Sequence, residues 1–122
     1  MDKPHKKLNV WKLSMHLAGA SYQLTAAFPA KERFGLASQM RRASVSVPSN
    51  LAEGAARNSK KEFRQFLSVA RGSLSELDTQ LDLCAKLNLI TAQARNDLDR
   101  LLLQVDKMLY GLFEKAGKKG RE

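Results

Sequence analysis

The chain has 122 residues, +9 net charge, 43% hydrophobic residues and one cysteine, which suits a single domain with one buried core. Lone Cys84 excludes an intrachain disulfide and fits a reducing, cytoplasmic setting. The opening MDKPHKKLNVWKLSMHLAGA starts like a signal peptide, but Lys12, Ser14 and His16 interrupt its apolar run. No apolar stretch of about 18 residues is present, so no membrane association is expected.

Residues 1–8 read as a basic leader. A first helix is predicted from about Asn9, which can cap it, to Phe28, where Pro29 restricts the preceding residue. Val10, Leu13, Leu17, Ala20, Leu24 and Phe28 form one stripe; Trp11, Met15, Ala18, Tyr22 and Ala26 form a second on nearly the opposite side. Two readings of the second stripe stay open: Trp11 and Tyr22 pack on the edge of the core, or Trp11, Met15 and Tyr22 belong to a subunit interface.

A second helix is predicted over about Glu32 to Ala56, with core stripe Leu36, Met40, Ala43, Val47, Leu51 and Gly54. That spacing stays in phase through Pro48, which predicts a continuous helix bent there. The alternative is a break, with Ser46 or Val47 capping a second short helix. Ser59-Lys-Lys-Glu62 is a capping box opening a third helix of roughly 28 residues, about 42 Å long, that reaches about Leu87. Cys84 falls in phase with its leucines and reads as a small buried apolar residue. Gly72 suggests a close helix contact. A fourth helix runs from a Thr91 cap to about Lys115, and residues 117–122 form a basic tail expected to lack order. The short connections predict an all-α, antiparallel up-down-up-down four-helix bundle over residues 9–116.

No catalytic constellation, phosphate-binding glycine loop or metal-ligand spacing stands out, so no enzyme, cofactor or metal is expected. Glu53 reads as a salt-bridge partner rather than a general base. Gln39, Arg42, Ser46, Asn50, Glu53 and Arg57 line one side of the second helix in steps of three or four. Gln39, Ser46, Asn50 and Glu53 are candidates for a structural polar network. Arg41, Arg42, Arg57, Lys60, Lys61, Arg64 and Arg71 are candidates for phosphate contact. A merely solvated face is the third possibility. These arginines are read as free of interleaved aromatics, which argues against base stacking. A helix-turn-helix over 45–71 fails because both helices are too long and core-bound.

Charge is uneven: +3 over residues 1–30 (four Lys, one Asp), +6 over 31–71 (nine against three), −3 over 72–114 (four against seven) and +3 over 115–122 (four against one). This fits an anionic partner, or subunits meeting basic face to acidic face.

FPAKERFGLASQMRRASVSVPSNLAEGAARNSKKEFRQFLSVARGSLSELDTQL (28–81), preceded by LNVWKLSMHLAGASYQLTAAFP, resembles the 23S rRNA intervening-sequence protein family. Gln39, Arg41, Arg42, Ser46, Asn50, Glu53, Gly54 and Glu76 are the positions that match its pattern. The resemblance implies a four-helix bundle assembling as a ring-like homo-pentamer in a bacterial cytoplasm. A related branch serves diversity-generating retroelements and binds their reverse transcriptase. The expectation is therefore a non-enzymatic oligomer that binds RNA or DNA, with RNA favoured. The alternative is a scaffold for a protein such as a reverse transcriptase.

Overall fold

The computed structural model describes residues 3–118. Four helices follow in order: α1 (Asn9–Ala26), α2 (Leu36–Ala55), α3 (Lys60–Lys86) and α4 (Ala92–Gly117). Short 3-10 turns occupy Pro4–Lys7 and Ala30–Glu32, and no strand occurs among the described residues. Each helix packs on its neighbours in the chain, and α4 closes against α1. Neighbours run antiparallel. Arg41 near the start of α2 reaches Thr25 at the end of α1, and Arg64 near the start of α3 reaches Phe113 near the end of α4. This is the up-down-up-down bundle that the connection lengths predict.

The predicted stripe of α2 forms the core together with rows of leucines on α3 and α4. Met40, Val47 and Leu51, then Leu67, Leu74, Leu77 and Leu81, then Leu98, Leu102, Val105 and Leu109 are all buried. Each fully buried leucine contributes about 2 kcal/mol by removing apolar surface from water. Ser59 accepts a hydrogen bond from the Glu62 N–H, and Thr91 from the Ala94 N–H, so both predicted caps are in place.

α1 differs from its predicted layout. Its buried line is Val10, Ser14, Leu17, Ala18, Ser21 and Thr25. The first predicted stripe puts Val10 and Leu17 in this line and Leu13, Ala20 and Leu24 beside it; of the second, Ala18 is buried and Trp11 partly so, while Met15, Tyr22 and Ala26 are exposed. Small hydroxyl residues fill the middle because Ser14 and Thr25 donate to carbonyls of their own helix, at 2.8 Å each. Leu8, not Asn9, holds the cap position, and helical geometry ends at Ala26 instead of Phe28.

α2 begins at Leu36 rather than Glu32, because Gly35 departs from helical dihedrals (φ −107°, ψ −109°) and separates off the Ala30–Glu32 turn. The helix continues through buried Pro48, so the break alternative falls. Pro48 has no N–H to offer the Ser44 carbonyl. Gly72 faces open space; the tight glycine is Gly54, where an added Cβ would lie 2.8 Å from Phe66 Cβ. The α4 helix extends to Gly117, and residues 119–122 of the basic tail lie outside the described residues.

Candidate nucleic-acid interface

The topology sorts charge by helix end. The start of α1, the end of α2, the start of α3 and the end of α4 meet at one pole. The Pro4–Lys7 turn packs there against α2 and α1. A groove of about 350 Å³ separates Pro4 and Leu8 from Arg57, Asn58, Ser59 and Lys60 on the α2–α3 turn. The end of α4 reaches the same pole, where a Cβ on Gly117 would sit 2.8 Å from Arg64 Nε. This pole gathers Lys3, Lys6, Lys7, Lys12, Arg57, Lys60, Lys61, Arg64, Lys115 and Lys118 against Glu53, Glu62 and Glu114. The opposite pole is less one-sided, with Lys31, Arg33, Arg41, Arg42, Lys86, Arg95 and Arg100 against Glu32, Asp78, Asp82, Asp97 and Asp99. Two helix N-termini and two C-termini share each pole, so macrodipoles offset and the side chains set the potential.

The seven candidate cations divide into two groups. Arg42, Lys60 and Lys61 are exposed and make no hydrogen bond or ion pair among the described residues. Arg41, Arg57, Arg64 and Arg71 lie over aromatic rings. Their guanidinium carbons sit 4.5 Å from the Tyr22 centroid, 4.9 Å from Phe66, 3.8 Å from Phe113 and 4.7 Å from Tyr110. Arg64 also donates to the Phe113 carbonyl (3.1 Å), and Arg71 lies 3.7 Å from Asp106. Arg64 and Arg71 therefore lace α3 to α4. The expectation that no aromatics interleave these arginines is corrected: Phe63 and Phe66 stand between Arg57 and Arg71 in the chain, and Tyr22, Tyr110 and Phe113 are supplied by neighbouring helices. Lys3, Lys6, Lys7, Lys12, Lys115 and Lys118 join the pole although sequence spacing did not mark them.

Of the polar line on α2, Ser46 and Asn50 are brought together. Ser46 Oγ lies 2.8 Å from Ser73 Oγ, and Asn50 Nδ2 donates to Ser46 O (2.8 Å) and Oγ (3.0 Å). They bridge α2 to α3. Gln39 and Glu53 are exposed on the same side and form no hydrogen bond with this pair. Trp11 packs half-buried against the core with its ring 5.0 Å from His5, while Met15 and Tyr22 are 48% and 44% exposed. Only the latter two lie open for an interface.

Arg95 is held by Asp78 (2.9 Å), Asp82 (2.6 Å) and Asp99 (3.5 Å). Burial lowers its pKa, but the hydrogen bonds and charges of Asp82 and Asp78 outweigh this and leave it raised. Cys84 is fully buried and donates to Met40 Sδ at 3.4 Å. Burial first, and then the Glu32 charge, push its thiol up to about 11. No group of three or more His, Cys, Asp or Glu residues is disposed to hold a metal among the described residues. Nor is any described helix long and apolar enough to cross a membrane.

The profile of a family described as 23S rRNA-intervening sequence protein matches residues 6–111. The chain belongs to this family. A crystal structure of a protein of unknown function from the S23 ribosomal protein family of Bacteroides thetaiotaomicron is similar to it in fold. The TM-score is 0.80 at 20% identity, over 86% of this chain and 95% of that one. No protein with curated function matches. The intervening-sequence match takes in the core stripes and the α2–α3 turn of the basic pole, and ends before Lys115 and Lys118.

Proposed function

We propose that this intervening-sequence family member is a non-enzymatic, homo-oligomeric bundle of the cytoplasm that binds nucleic acid, RNA foremost, through its basic pole. The observation that carries the reading is the gathering of ten cations at one end of the bundle against three carboxylates. Lys3, Lys6, Lys7, Lys12, Lys60, Lys61, Lys115 and Lys118 are all exposed. Long, flexible lysine side chains suit phosphate backbone, whose contacts position a strand without reading its sequence. Binding then draws on counterion release. A complex with six to ten phosphate contacts loses roughly 10³–10⁵ in affinity between 50 and 200 mM salt.

A ring-like pentamer would set several such poles along one strand and raise avidity. Apolar side chains that one chain leaves uncovered support assembly: Met15, Tyr22, Val69, Leu83, Leu87 and Leu103. The same side chains support the second reading, a scaffold whose partner is a protein such as a reverse transcriptase.

Fluorescence anisotropy with a labelled RNA and a DNA of equal length tests binding, and light scattering tests assembly. The expected result is tight binding at 50 mM salt with a steep negative salt slope, from a particle heavier than one chain. A folded sample that binds neither nucleic acid at low salt overturns the nucleic-acid reading and leaves the scaffold reading. A mass equal to one chain overturns the ring.

A further inference from the structure

Far from the basic pole, the connection between α1 and α2 holds Phe34 out in solvent, 90% exposed. A ring of that size in water, fixed between two helices of a packed bundle, calls for a partner. Beside it lies a groove of about 440 Å³, lined by Tyr22, Arg33, Phe34, Ser38, Arg41, Arg42 and Val45. No carboxylate lines it.

The three arginines are differently held. Arg33 lies 5.8 Å from the centroid of the Phe34 ring. Arg41 is locked in place, its Nε donating to Thr25 Oγ1 (2.8 Å) and its Nη2 to the Tyr22 carbonyl (3.2 Å). Its Nη1 makes no hydrogen bond among the described residues, and Arg42 makes none at all. The groove thus offers an open aromatic face, a fixed cation and two further cations, with no acid to neutralise them. A ligand that answers all of this is planar and anionic.

We propose that the Phe34 groove binds an unpaired nucleotide of a single-stranded nucleic acid. The base stacks on Phe34, and the adjoining phosphate is held by Arg42 and Arg41. The inference rests on the nucleic-acid reading of the basic pole and extends it. The pole takes phosphate backbone from single strand or duplex alike, whereas the groove takes only a base that is free to leave its stack. In a duplex no base face is open to Phe34, so the groove confers a preference for unpaired strand.

Phe34→Ala removes the stacking face without removing charge, and at 90% exposure the residue carries no packing that the fold needs. The experiment measures anisotropy of a labelled unstructured 20-nucleotide RNA and of its duplex against full-length wild type, Phe34→Ala and Phe34→Trp. Loss of one stacking contact weakens single-strand binding by about tenfold. Duplex affinity and the salt slope stay at wild-type values, and Phe34→Trp restores the single-strand affinity. Arg42→Ala lowers the salt slope for single strand by about one unit.

Equal single-strand affinity for wild type and Phe34→Ala overturns the groove and leaves the pole standing. An equal loss on the duplex also overturns it. So does a drop in assembly mass on Phe34→Ala, which assigns the ring to contact with a second copy. If wild type binds neither RNA form, the groove and the pole fall together.

Discussion

Gly54→Ala and Gly72→Ala make the same chemical change in two helices and should move stability in opposite directions. Replacing a helical glycine by alanine ordinarily stabilises by about 1 kcal/mol, since glycine loses more backbone entropy on folding. Gly72 gives the new methyl open space, so this gain of roughly 0.5–1 kcal/mol should be realised. At Gly54 the methyl would meet Phe66 Cβ at 2.8 Å and Phe63 Cδ1 at 3.0 Å. Both lie well inside the ~3.5–4.0 Å optimum for carbon atoms. Phe66 Cβ is bonded to its backbone and yields only if α3 moves. Overpacking of this kind costs about 1–3 kcal/mol, which outweighs the helix gain. The expected net loss is about 1 kcal/mol, and the two variants should differ by about 2 kcal/mol. Urea unfolding followed by helical circular dichroism, at one fixed protein concentration, reads both midpoints with an unchanged slope. Stabilisation of Gly54→Ala to the same extent as Gly72→Ala would refute the close α2–α3 approach.

The division of the cations predicts a crossed pattern. Arg71→Ala should cost about 1 kcal/mol by denaturation, through Tyr110, Phe113 and Asp106, and leave RNA affinity alone. Lys60→Ala with Lys61→Ala should do the reverse; equal effects on both readouts would contradict it. Arg95→Ala should cost about 1–2 kcal/mol, and Arg95→Lys should recover less than half, because a single ammonium cannot hold Asp78, Asp82 and Asp99 in the guanidinium's geometry. Full rescue by lysine would reduce the cluster to simple charge balance. With its thiol raised to about 11, Cys84 is ionised to roughly one part in a thousand at pH 8. It should resist an aromatic disulfide reagent in the folded protein and react fully in urea; rapid labelling of the native form would show the α2–α3 core open.

The stripes of α2, α3 and α4 were legible because leucine, methionine and valine at helical spacing have one way to be buried. Pro48 did not hide α2, since the phase from Met40 to Leu51 runs through it. α1 was harder to read. Ser14, Ser21 and Thr25 occupy half of its buried line, and a search for apolar side chains finds only Val10, Leu17 and Ala18 of it. Small hydroxyls carry no hydrophobic signal, and Ser14 and Thr25 are accommodated by bonding back to their own helix. The glycines misled for a related reason, since a missing side chain says nothing about which neighbour fills the space. Gly54, in phase with the core, is tight; Gly72, out of phase, is open.

The site was half legible. Charge summed along the chain marks residues 31–71 as most basic, and it does not show that Arg41, Arg57, Arg64 and Arg71 also lie over aromatic rings. Charge summed by helix end brings the leader, the α2–α3 turn and the end of α4 into one pole. That grouping needs only the up-down-up-down order and the positions of the lysines. The ring partners need the register between helices as well. Phe113 meets Arg64 because α3 and α4 run antiparallel with Arg71 level with Asp106, a fact of packing that no single helix carries.

RNA binding compared between two charge-matched variants tests the basic pole most directly. One variant carries Lys6→Ala, Lys7→Ala, Lys60→Ala and Lys61→Ala at the basic pole. The other carries Lys31→Ala, Arg33→Ala, Lys86→Ala and Arg100→Ala at the opposite end. Both lose four positive charges, so net charge cannot separate them. The pole variant should lose affinity for RNA duplex and reduce the salt slope by about four units, one per phosphate contact. The variant at the opposite end should bind the duplex nearly as wild type does. Equal losses from the two would contradict the account, reducing the interaction to overall charge with no pole at its centre.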